Sequence, residues 1–117
     1  MNKETGLSGK SLEEWRCEID QLDNELLRLL NQRARIACEL GTVKVASRQP
    51  AYDGRRERQV LARVVTQNHG PLGAESVRNI FRRIILETRR IGIQAMREQR
   101  QRSSAVNHRG KEHRNGH

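Results

Sequence analysis

From Ser11 to about Val45 the apolar residues fall at alternating spacings of three and four. Leu12, Trp15, Ile19, Leu22, Leu26, Leu29, Ile36, Leu40 and Val43 mark one seam of a single long helix. The rhythm asks for one more apolar residue at position 33, and Arg33 stands there. Ser11 followed by Glu14 matches a capping box, so helix 1 is predicted to start there and run to about Ala46. Gly41 lies inside it at a cost of ~1 kcal/mol relative to Ala, which implies either close approach of another group or simple tolerance. Ser47, Arg48, Gln49 and Pro50 end the helix, because Pro disfavours helical geometry in the residue before it. Asp53 is a candidate N-cap for helix 2, which carries Val60, Leu61, Val64 and Val65 on one face. The run Asn68-His69-Gly70-Pro71 is a stop signal. Helix 3 starts near Gly73 or Ala74 and carries Val77, Ile80, Phe81, Ile84, Ile85, Thr88 and Ile91 at helical spacing. Its pattern fades after Gly92, with fraying expected by Arg100. No segment alternates with period two. The predicted fold is all-α, three helices with one very long N-terminal helix.

A helix of about 35 residues is roughly 50 Å long, well beyond the radius of a compact domain of this size. One chain cannot cover such a seam, so a homo-oligomer is expected, most simply a twofold dimer. Only 34% of the residues are hydrophobic and 3% aromatic, so the core must be thin and aliphatic. Residues 11–96 form the expected folded domain, preceded by a loose lead-in over 1–10. Of the net charge of +9, residues 93–117 carry +4, together with three of the four histidines. Their lack of apolar periodicity predicts a basic, disordered tail over 97–117. Cys17 and Cys38 are too far apart on one helix to bridge, and reduced thiols fit a cytoplasmic protein. The first ten residues lack the apolar core of a leader, and no run approaches membrane-spanning length.

The charges within the helical region change the picture more than the total does. Lys44 lies eleven residues beyond Arg33, about three turns, and so faces nearly the same side of helix 1. Cations on or beside an apolar seam need a partner, since an unpaired buried charge is costly. No acidic residue of helix 1 fills the gap, which leaves room for a bound anion. Asp53, Arg56 and Glu57 share the start of helix 2, which folds back towards Lys44. Arg16 lies roughly 25 Å along the helix from Arg33 and cannot serve the same pocket within one chain. In a dimer with antiparallel long helices it reaches the other copy's Arg33–Lys44 region. Thr88 interrupts the apolar face of helix 3. Three arginines and a lysine bordered by two carboxylates suit a small dianion, gripped by guanidinium forks and a lysine point charge. Metal-ligand spacing, a nucleophile–base pair and a Gly-rich phosphate loop are all lacking in the sequence, so no cofactor or metal is expected. Any chemistry should run on positioning and electrostatics.

Each member has a plainer reading. A single Arg in a heptad seam can set coiled-coil register. Lys44 can be a solvated side chain. Arg16 can pair with Asp20 at i+4. Asp53 can be only a cap, Arg56 and Glu57 only surface charge, and Thr88 can bond back to its own helix. The joint arrangement, rather than any one residue, points to a site.

Residues Trp15 to Asp23, Leu29 to Arg33, Gly41 to Lys44 and Pro50 to Arg58 resemble the all-helical chorismate mutases, in order and in gaps, across about residues 12–92. The resemblance implies an intertwined homodimer of three-helix protomers with two active sites and no cofactor. It implies rearrangement of chorismate to prephenate, a [3,3] shift on the route to phenylalanine and tyrosine. By that likeness Arg33 and the partner's Arg16 hold the substrate carboxylates, and Lys44 binds the ether oxygen of the breaking bond. Arg56 and Asp53 line the site, Glu57 receives the ring hydroxyl, and Thr88 matches a position usually held by Ser. One departure stands out: the family usually has Gln or Glu four residues after that Ser, where this chain has Gly92. An isochorismate pyruvate-lyase shares the scaffold and is the near alternative, with the Asp53–Arg56–Glu57 cluster favouring the mutase. A basic nucleic-acid-binding module is the distant one, without a recognisable motif.

Overall fold

The structure, a computed structural model, describes residues 9–115, with side chains described over 9–106. It contains α1 (Leu12–Ala46), α2 (Gly54–Gln67) and α3 (Ala74–Asn115), and no strand among the described residues. Nearly all of the lead-in, and the side chains of the three C-terminal histidines, lie outside the described residues. The chain divides into two units, Met1–Gln32 and Arg33–His117.

In the first unit, α1 begins on a reciprocal capping box. The Ser11 N–H donates to Glu14 Oε1 at 2.9 Å and the Glu14 N–H donates to Ser11 Oγ at 3.1 Å. The backbone N–H of Ser11, then its hydroxyl, holds the Glu14 carboxyl below its ordinary pKa. Lys10 pairs with Glu18 and lies over the Trp15 ring, 4.6 Å from its centroid. The seam residues Leu12, Ile19, Leu22 and Leu26 are all exposed, with Leu22 keeping 64% of its surface. A stripe of this extent is more apolar surface than a lone chain normally presents to water.

In the second unit, α1 ends in a Schellman motif. The Gln49 N–H donates to Lys44 O at 2.8 Å and the Arg48 N–H to Val45 O at 3.2 Å, with Arg48 in the left-handed region at φ 57°. Asp53 caps α2 by accepting the Arg56 N–H at 3.0 Å, as its position before the apolar face predicts. Val60 is the buried residue of that face, while Leu61, Val64 and Val65 are half-buried. Asn68 then closes the turn into α3, donating from Nδ2 to Leu72 O at 2.7 Å. The buried apolar residues are Val60, Val77, Ile85 and Met96.

The end of α1 crosses α3 through two buried glycines. A Cβ at Gly41 would lie 2.7 Å from Gly92 O, and one at Gly92 would lie 3.1 Å from Ala37 O. Of the two sequence readings of Gly41, the structure selects close approach. The apolar pattern predicts fraying between Gly92 and Arg100 and a disordered end, but α3 stays helical to Asn115. Its extension contains no proline, and Glu98 supports it from two sides: Gln94 Nε2 donates to it at 3.3 Å and Arg102 pairs with it at 3.7 Å.

Candidate active site

A cavity of about 290 Å³ opens where the end of α1, the start of α2 and the middle of α3 converge, room for one small metabolite. Six of the seven sequence candidates line it: Arg33 and Lys44 from α1, Asp53, Arg56 and Glu57 from the start of α2, and Thr88 from α3. The rest of the wall is largely apolar, including Ile36, Leu40, Val60, Ile85 and Met96. The seventh, Arg16, belongs to the first unit. It is exposed and sits 3.7 Å from Glu13 rather than on Asp20, the i+4 partner its sequence suggests.

Several of these side chains are held in place by local bonds. Arg33 Nη1 donates to the Thr88 hydroxyl, which itself donates to Ile84 O at 2.8 Å. The Thr88 back-bond to its own helix is therefore real, yet it leaves the oxygen able to accept from Arg33. Lys44 Nζ donates to Ala51 O at 3.1 Å, which fixes the ammonium at the turn between α1 and α2. Asp53 does double duty, capping α2 and lining the cavity.

Sequence reasoning missed Arg89. It lines the cavity and pairs with Glu57, Nη1 to Oε2 at 2.5 Å. The two positions are 32 residues apart on different helices. Within α3 the only local signal is a pair of adjacent arginines, and nothing in it separates Arg89 from exposed Arg90.

Four cations and two carboxylates thus share the wall. Arg89 occupies Glu57, and the Arg56 N–H occupies one oxygen of Asp53. Positive charge is left in excess. Its imprint is on Arg33, whose pKa is pushed down by burial first, then by the charges of Arg56 and Arg63. The guanidinium remains charged, but in a neighbourhood that disfavours it, and an anion would relieve the repulsion. Among the described residues, no three His, Cys, Asp or Glu side chains gather where they can share a metal ion.

Comparison with known families gives this geometry a context. Residues 15–92 match the family model for chorismate mutase type II. The chain belongs to the type II chorismate mutases. Its match to the Aquifex aeolicus bifunctional chorismate mutase/prephenate dehydratase is 36% identical over 80 residues, or 65% of this chain. That alignment spans only 22% of the relative, so the chain covers about a fifth of the length of such curated relatives. Among solved structures, the Helicobacter pylori chorismate mutase in complex with prephenate aligns with a TM-score of 0.68 at 32% identity, covering 74% of this chain and 94% of that one. The Thermus thermophilus chorismate mutase (form I) aligns with a TM-score of 0.65 at 34% identity, covering 66% and 96%. In this type II chorismate mutase Gly92 sits at the α1–α3 crossing and brings no side chain to the cavity wall.

Proposed function

We propose that the chain catalyses the rearrangement of chorismate to prephenate as a cytoplasmic twofold dimer, each cavity being completed by Arg16 of the partner subunit. The observation that carries this reading is the convergence of Arg33, Lys44 and Arg56 on one largely apolar cavity with too little carboxylate to balance them. The exposed apolar seam of α1 supports the dimer, because burying it on a second copy removes it from water. Free Cys17 and Cys38 fit a reducing compartment.

The reaction breaks a C–O bond and forms a C–C bond within one molecule, so it needs neither an outside reactant nor a proton donor. The substrate must fold into a compact conformer that it seldom visits in water. Arg33 and the partner's Arg16 each take a carboxylate by a guanidinium fork, which holds that conformer. Negative charge grows on the ether oxygen as the C–O bond stretches. Lys44, already tied to Ala51 O, meets that charge without reorganising, so it stabilises the transition state more than the ground state. Gly92 offers no second side-chain donor, which places more of this work on Lys44.

The test is loss of chorismate absorbance with purified protein. Turnover is expected, and Lys44→Ala is expected to lower kcat by ~10²-fold or more, the scale of removing a preorganised donor. A folded wild type that leaves chorismate untouched, or an unaffected Lys44→Ala variant, overturns the reading. Isochorismate assayed alongside separates a mutase from a pyruvate-lyase.

A further inference from the structure

Glu57 stands at the wall of a cavity that also holds Arg33, Lys44 and Arg56. Left to itself, a carboxylate beside three cations in an apolar enclosure would swing onto them. It would then fill the anion site with an internal ion pair and compete with any anionic ligand. The structure shows it on a fourth cation of the wall instead, with Oε2 on Arg89 Nη1 at 2.5 Å and both side chains about three-quarters buried. Arg89 is itself braced. The Tyr52 ring lies against its guanidinium, 5.0 Å from centroid to Cζ. That ring in turn passes over Gly54, where a Cβ would come within 2.7 Å of the Tyr52 hydroxyl oxygen. Gly54, Tyr52, Arg89 and Glu57 therefore form one chain of contacts ending at the cavity.

We propose that Arg89, braced by Tyr52, is a positioning residue that keeps the Glu57 carboxylate off the cavity's other cations and presents it to the substrate's hydroxyl. The inference rests on the chorismate mutase reading and assigns a device within that site. With Oε2 committed to Arg89, Oε1 remains able to accept from a ligand. The two halves of the role have one cause, since the same ion pair that aims Glu57 also preserves the surplus positive charge for the substrate.

The experiment is a double-mutant cycle on the full chain, reading KM and kcat for chorismate separately. Arg89→Gln should raise KM by about tenfold, within the coupling expected of residues in contact, with a smaller change in kcat. Placed on Glu57→Gln, which has no carboxylate to collapse, the same substitution should change KM by less than about twofold. Arg89→Lys should recover part of the KM, because an ammonium keeps the charge but not the planar stack on Tyr52. Tyr52→Ala should raise KM in the same direction and serves as the second probe if Arg89→Gln fails to fold. A merely structural Arg89 would lower thermal stability and active fraction while leaving KM unchanged. That result, or an equal KM increase in both backgrounds, overturns the inference while the wild-type activity stands. A wild type without turnover overturns the functional reading and this inference together.

Discussion

Arg33 carries the tension between folding and binding at the scale of a single residue. It replaces an apolar member of the α1 seam, is half-buried, and feels Arg56 and Arg63. Its folded pKa lies below its unfolded value, so the folded chain holds that proton less tightly than the unfolded chain does. The charge therefore opposes folding at every pH below the folded value, which covers all ordinary conditions. Arg33→Met keeps the apolar stem and removes the charge. The free protein should then melt a few degrees higher, while chorismate turnover falls by ~10²-fold or more, in keeping with binding sites that trade stability for function. Differential scanning fluorimetry and the absorbance assay check the two halves. A lower melting temperature would show that the Thr88 bond, and not the charge, dominates at this position.

At the level of elements, most of the helices were legible and two contacts between them were not. The capping box at Ser11, the Asp53 cap and the stop at Asn68–Pro71 are local chemistry, so sequence spacing gives them directly. The cations Arg33 and Lys44 are also legible, because Arg33 breaks the apolar rhythm and Lys44 follows it by about three turns on nearly the same side. Arg89 was not, since its partner Glu57 lies on another helix and its own helix treats it like any exposed arginine. The far end of α3 is helical beyond the reach of its apolar pattern, because loss of an apolar face removes the pattern without removing helical hydrogen bonding. Gly41 is ambiguous in the sequence, as only the neighbouring backbone decides between tolerance and need. The crossing makes a strong statement about it. Gly41→Ala gains ~1 kcal/mol of helix propensity but drives a methyl onto Gly92 O, 2.7 Å from where it must sit. A net destabilisation of ~1–3 kcal/mol should result, as for overpacking elsewhere. Urea unfolding measures it, and a stabilised variant would show that the two helices separate freely.

The whole molecule is where the remaining charge and the remaining apolar surface find a common explanation. Among the described residues no helix is long and apolar enough to cross a membrane, and the apolar stripe on α1 is exposed. In the proposed dimer a second copy covers it, and in the same act brings Arg16 to a cavity already lined by Arg33 and Lys44. In that dimer two chains together make one cage for a dianion. Mixing separately inactive Arg16→Ala and Arg33→Ala proteins under conditions that exchange subunits tests it most directly. Half of the resulting dimers are mixed, and each of these has one intact site. Chorismate turnover should therefore rise from near zero to about a quarter of the wild-type value. A mixture no more active than its two parents would contradict the claim.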